Sequence, residues 1–435
     1  MKNKIFTVIF FVLCFIPLVT MFMPDGDNKA NEAARTAVSI KDENGGLNVN
    51  FLGDLSDAFD KNFGLRDMMI STYHKCIAMI FGESAEDKVI LGKDGWLFYT
   101  ETLDDFQRTN KLSDGEIYSI CRTLELIDEY LESKGTEFVF TIAPNKNSLY
   151  GDMMPKYYKE GSGESNAQRL SGLLKGSDIT YVDLFEIFRN KSKQLYMKTD
   201  SHWTTEGAGL AADGILKAAG KEHNPYYGSE TTTKTTDYGD LYKMLYPSFK
   251  NNEKDTVYTH QFSYTHSSPM RTVEDNFIRT QCEDKEGTLF VYRDSFGNTM
   301  YPFLAEEYGK SVFCRLNPYN LALAENEQAD TVVIEIVERN IDWLLTKPPV
   351  FPSPERFVDV SGSLDCRKLD ITESDELTGY NKIEGVLSEN ISAGECIYIN
   401  ADDSIYEAIP CGDGAFVAYI PTEKCQDTLS VSVVK

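Results

Sequence analysis

Five short apolar runs, at 138–144, 179–185, 288–292, 311–316 and 331–337, constrain this chain more than any other feature. They barely alternate between apolar and polar residues, which marks strands buried on both faces. Helical patterns separate them. From 114 to 133, Ile117, Ile120, Leu124, Ile127 and Leu131 share one helix face, and Gly135 stops the helix. A second stripe runs through Ala208, Ala211, Ala212, Ile215 and Leu216 to Gly220, and shorter helices are predicted over 298–308 and 321–328. Alternation of this kind gives an α/β fold: an open, mostly parallel sheet between two helical layers. Ligands in such folds bind beyond the carboxyl ends of the strands.

Two motifs lie at those ends. One is Lys198-Thr199-Asp200-Ser201-His202-Trp203; the other, Tyr292-Arg293-Asp294-Ser295-Phe296-Gly297, follows the strand 288–292 directly. Together they supply an acid, an imidazole and a serine. A serine hydroxyl becomes a nucleophile only when a base takes its proton and an acid orients that base. Asp200, two residues before His202, is within reach of Nδ1, which leaves Nε2 to face Ser295. At a strand-to-helix turn the first helical amides point toward a developing oxyanion, and Gly297 permits close approach there. The plainer alternatives are that Ser295 caps a helix, that Asp200 and Ser201 cap the next one, and that His202 packs on Trp203. Arg293 and Asp294 either orient the serine or pair at the surface.

The segment Asp200–Trp203 resembles the DHHW protein family and the alginate O-acetyltransferase (AlgX/AlgJ-like) domains, which are SGNH-hydrolase-like. The likeness extends to Phe63-Gly64-Leu65-Arg66-Asp67, Trp96-Leu97-Phe98, Pro144-Asn145-Lys146, Gly239-Asp240-Leu241 and Glu338-Arg339-Asn340, covering most of residues 50–345. Ordinary SGNH hydrolases have the serine first. Here it comes last, which implies a circularly permuted, flavodoxin-like sheet in a three-layer domain. The resemblance implies Asp200, His202 and Ser295 as a catalytic triad and O-acetylation of an envelope or exported polysaccharide as the reaction. It also implies a separate membrane-bound O-acyltransferase as acetyl donor, and no dissociable cofactor or metal. Two departures stand out. The tetrad has Ser201 at its second position, harmless if that side chain points away. A clear GxND block is missing; its counterpart falls at Arg339-Asn340, which makes Asn340 the oxyanion candidate. Arg339, Arg293 and Tyr242 are further substrate-contact candidates. An esterase with water as acceptor would use the same three residues, and a non-catalytic polysaccharide-binding or envelope-assembly protein would keep only the fold.

The net charge of −25 argues against nucleic acid and against a polybasic grip on anionic lipid. Lys2 and Lys4 precede an uncharged stretch from Ile5 to Met23. Residues 1–23 are therefore expected as a signal anchor, with a cleaved signal peptide as the alternative and the bulk of the chain extracytoplasmic. Residues 24–50 read as a stalk and 51–346 as the catalytic domain, with a polar, irregular insertion at 221–285. A Pro-rich linker spans 347–355. Short alternating runs over 356–435 predict a small β-sandwich with no catalytic cluster. Among the nine cysteines there is no C-x-x-C pair. His260 and His266 make only a weak zinc motif, and the abundant carboxylates single out no glycosidase pair. Tyr226, Tyr227, Tyr238, Tyr242 and Tyr246 suit either sugar stacking or packing.

Overall fold

A computed structural model of the chain describes residues 4–8, 10–12, 15, 39–41, 46–62, 65–236, 239–360, 366–425 and 429–434. Most of the expected anchor and stalk lies outside the described residues, as do Phe63, Gly64 and Tyr238. Among the described residues no helix is long and apolar enough to cross a membrane. The chain divides into two units, 1–90 with 240–251, and 91–239 with 252–435. In the first, buried polar side chains tie helix Arg66–Phe81 to the distant segment around helix Asp240–Leu245. His74 Nδ1 lies 2.8 Å from the Leu245 carbonyl, and Ser71 Oγ accepts from the Ser248 amide at 3.0 Å.

The second unit is built on a seven-stranded sheet. In chain order its strands are β1 Glu137–Ala143, β2 Thr180–Val182, β3 Thr265–His266, β4 Phe277–Gln281, β5 Thr288–Tyr292, β6 Lys310–Cys314 and β7 Thr331–Val337. Their spatial order is β2-β1-β7-β5-β6-β4-β3. The first five are parallel, with Val333 of β7 opposite both Val139 and Val291, while β4 runs antiparallel to β6. Counted from β5, the serine strand, the parallel strands follow the order 2-1-3-4-5. That is the flavodoxin-like order begun at a different point, as the permutation requires. The switch point falls between β5 and β7.

Helix α1 Asp114–Ser133 starts at a capping box in which Ser113 and Glu116 satisfy each other's amides. Its apolar stripe, with helix α2 Asn166–Leu174, covers the sheet face carrying Phe138, Phe140, Ile142, Ile334 and Ile336. Helices α3 Leu184–Arg189 and α4 Thr205–Ala218 pack against β1, while α5 Gly297–Ala305 packs against α4 and β6. The region 221–285 is more regular than its polarity suggests. Thr231–Thr235 pairs with Lys254–Tyr258, and β3 and β4 extend the central sheet. The sequence Phe277–Gln281 alternates buried and less buried residues as an outer strand does, so it lacks the continuous apolar run of a central one.

The C-terminal region forms two four-stranded antiparallel sheets around Ile383, Ile397, Ile399, Phe416, Ala418 and Ile420. The Pro-rich stretch before it is packed: Val350 and Phe351 are buried, and Val350 exchanges backbone hydrogen bonds with Tyr319 and Leu321. Glu407 of the sandwich is buried and accepts Nε of both Arg122, on α1, and Arg356 at 2.7 Å. Cys76, Cys121, Cys282, Cys314, Cys396, Cys411 and Cys425 form no disulfide.

Candidate active site

The acid–imidazole motif sits on a reversal between α3 and α4. Tyr196 and Trp203, both fully buried, pair antiparallel across it, and the Met197 amide donates to the His202 carbonyl at 3.1 Å. Thr204, rather than Asp200 or Ser201, caps α4, accepting from the Gly207 amide at 3.1 Å. A Cβ on Gly207 would lie 2.4 Å from the Leu195 carbonyl oxygen, so only glycine lets the helix start this close to the loop. With its cap taken elsewhere, Asp200 turns back on its own loop. Its Oδ1 accepts the His202 amide at 2.9 Å and lies 2.6 Å from His202 Nδ1. That contact favours the tautomer with the proton on Nδ1. His202 Nε2 then lies 2.8 Å from Ser295 Oγ, within the range for proton transfer.

Ser295 reaches that position from a turn fixed by buried polar groups. The cap residue of α5 is Phe296, with no side-chain cap bond, so Ser295 is not a helix cap. Asp294 Oδ1 accepts the Phe296 amide at 2.8 Å and Oδ2 the Val337 amide at 2.7 Å, tying the turn to the end of β7. The Asp294 amide donates to Glu335 Oε2 at 3.2 Å. Burial, reinforced by the neighbouring Asp294, holds the Glu335 carboxyl well above the ordinary carboxylate range. Arg293 is buried as well. It donates to Asn298 Oδ1 at 2.5 Å and to the Val273 carbonyl at 2.8 Å, and burial pushes its guanidinium down to about 10. Neither flanking charge is a surface pair. What approaches Gly297 is the Arg293 side chain, 2.6 Å from where a Cβ would sit.

The two motifs also meet through aromatic groups. The Phe296 ring centroid is 4.9 Å from those of both His202 and Trp203, and the indole N–H donates to the Phe296 carbonyl at 3.1 Å. Trp203 thus packs on the residue next to the serine. Ser201 does not point away: it is buried with its Oγ 3.3 Å from His202 Nδ1, so the condition under which its place in the tetrad would be harmless is not met. The Arg339 guanidinium lies 6.0 Å from the Phe296 ring and 5.5 Å from Tyr99. Asn340 is half-buried in the same turn after β7. Tyr242 belongs to the first unit, where its hydroxyl donates to the Lys250 carbonyl at 3.4 Å.

Other candidates go elsewhere. His260 Nε2 faces Glu306 at 3.4 Å, whereas His266 packs on Tyr264 and Tyr301. Tyr226 is buried, with its hydroxyl on Glu307. Glu253 carried no sequence signal among 68 acidic residues, yet it accepts the Lys198 and Thr199 amides at 2.6 and 2.9 Å. Glu338, fully buried, accepts the Asn145 amide and the Ser148 hydroxyl; burial, then Asp105, pushes its carboxyl up to about 7. A cleft of about 440 Å³ opens beside Lys198, its walls including Trp96, Tyr150, Phe188, Arg189 and Lys191. A larger one of about 810 Å³ lies around Asp213 and His223, and none of the candidate residues lines either cleft.

Residues 89–281 match the family model described as SGNH hydrolase-like domain, acetyltransferase AlgX. That span includes Asp200 and His202 and stops short of Ser295. A probable alginate O-acetylase AlgJ from Pseudomonas syringae pv. tomato is 26% identical over 205 residues, 44% of this chain and 50% of the relative. The chain spans about half the length of the curated relatives it matches. Among solved structures, a DHHW family protein from Eubacterium siraeum is similar at 15% identity and TM-score 0.44, covering 58% of this chain and 91% of that one. The O-acetyltransferase domain of Pseudomonas putida AlgJ is similar at 18% identity and TM-score 0.38, again covering 58% and 91%. The likeness read from the motifs is borne out, and the fold is that of an SGNH-hydrolase-like α/β domain with antiparallel C-terminal sheets.

Proposed function

We propose that this chain is an extracytoplasmic O-acetyltransferase that modifies a polysaccharide through an acetyl-serine intermediate. The observation that carries the reading is the unbroken relay from Asp200 Oδ1 through His202 to Ser295 Oγ, at 2.6 and 2.8 Å. Ser295 Oγ attacks the carbonyl carbon of an acetyl ester while His202 Nε2 takes the hydroxyl proton. The donor alcohol leaves with that proton. A sugar hydroxyl then attacks acetyl-Ser295; His202 accepts its proton and returns it to Ser295 Oγ as the acetylated sugar departs. Asp200 orients the imidazole and stabilises its protonated form. Amides at the start of α5 and the Asn340 side chain are the proposed oxyanion donors.

The names of the curated relatives support polysaccharide as acceptor. The cleft that Lys198 lines has the aromatic and cationic walls that suit a sugar chain. A membrane-bound acyltransferase as donor and attachment through the apolar N-terminal stretch complete the proposal.

The test is turnover of an activated acetyl ester by the full-length chain, with and without oligosaccharide acceptors, beside Ser295→Ala. Acetylated sugar from the wild type alone is the expected result. Acetate release that no acceptor diverts would make the chain an esterase. Equal behaviour of the two proteins would remove the serine mechanism.

A further inference from the structure

Lys146, in the turn after β1, is a buried cation, only 4% exposed. Its Nζ donates to three backbone carbonyls, of Met197 at 3.1 Å, Lys198 at 3.1 Å and Asp200 at 2.6 Å. The rings of Trp96 and Phe98 lie 5.7 and 5.3 Å from it. Removing an ammonium from water costs several kcal/mol unless oriented dipoles compensate it. Here the compensation comes from the loop that carries the acid and the imidazole. Three carbonyl oxygens converging on one point repel one another unless a cation sits between them, so the ammonium sets the curvature of the Met197–Asp200 arc. Glu253 binds the arc from its amide side, through the Lys198 and Thr199 N–H groups. Asp200 leaves the arc with its carbonyl fixed, and its side chain then meets His202 at 2.6 Å.

We propose that Lys146 is a positioning residue of the acyl-transfer site: by gathering these carbonyls it holds Asp200 in register with His202. This rests on the catalytic reading above. Lys146 does not touch substrate; it acts through the loop. Its place in the sequence, inside Pro144-Asn145-Lys146, thereby acquires a chemical reason: a strand end delivers one long cation to the next loop.

The experiment compares full-length wild type, Lys146→Met and Lys146→Arg by two readouts. The first is kcat and KM for an activated acetyl ester. The second is the far-downfield proton resonance of an Asp-bound His Nδ1–H, assigned by its loss in His202→Gln. Lys146→Met keeps the side-chain length and suits the aromatic surroundings. It is expected to keep the fold by circular dichroism, to shift or lose the resonance, and to lower kcat about 100-fold with KM within about twofold. Lys146→Arg, which retains charge and donors, is expected to recover most of both. A folded Lys146→Met with the wild-type resonance, or an arginine variant no better than the methionine one, overturns the proposal. Should Lys146→Met not fold, Lys146→Gln is read by the same criteria. The resonance reports the Asp200–His202 contact whether or not Ser295 is the nucleophile. If Ser295→Ala turns over like wild type, the catalytic reading falls, while a moved resonance in Lys146→Met still supports the lysine's hold on the pair.

Discussion

The two segments that meet at His202 and Ser295 are held in opposite ways. The nucleophile turn is fixed by its own side chains, since Arg293 and Asp294 each bond backbone groups on neighbouring segments and Glu335 supports them from β7. The acid–base loop is fixed by its main chain: its carbonyls go to Lys146 and two of its amides to Glu253. A turn held by side chains announces itself in sequence as a compact charged motif. A loop held by its backbone does not, because the residues that hold it lie 50 or more positions away.

The largest expected effect falls where the two segments touch. Ser295→Ala should lower kcat for an activated acetyl ester at least 10⁴-fold, with the melting temperature nearly unchanged. Asp200→Asn keeps the shape and alters the tautomer His202 adopts, so a loss of about 10³- to 10⁴-fold is expected in the same assay. Glu253→Ala probes the loop alone. Leaving two amides without their carboxylate should lower stability by about 2 kcal/mol in chemical denaturation and reduce kcat more than it raises KM. An equal loss of kcat from Asp294→Ala would erase the distinction between the two segments on the activity side.

The smallest effect on activity is expected far from the relay. Burial works against the Glu407 carboxylate, but hydrogen bonds from Arg122 and the charge of Arg356 outweigh it and hold the carboxyl below its ordinary range. A depressed carboxyl contributes stability above its unfolded pKa of about 4.3, and that contribution is lost as pH falls through the lower folded value. Glu407→Gln should therefore cost about 3 kcal/mol at neutral pH, a difference that shrinks on acidification below about pH 4. Its kcat should match wild type.

Much of the fold was legible because buried parallel strands cannot hide their composition. β1, β5, β6 and β7 and the stripe of α1 lie where the apolar runs and the 3.6-residue period put them. The outer strands β3 and β4 were missed because one is two residues long and the other alternates within a polar region. Of the site, the sequence carried both motifs, and Asp200, His202 and Ser295 lie together. It left open the orientation of Ser201, whose burial beside His202 no pattern records, and the role of Arg293, for which the packing removes the surface alternative. Glu253 was illegible for a physical reason: its partners are main-chain amides, which no residue type encodes.

The central claim is that Ser295 carries the acyl group. Its most direct test is intact-mass analysis with peptide mapping of the full-length chain after brief exposure to an activated acetyl ester. The account predicts a single acetyl increment that maps to Ser295, is absent from Ser295→Ala and disappears when an acceptor sugar is added. An increment of equal yield in both proteins, or one mapping outside the turn Arg293–Gly297, would contradict it.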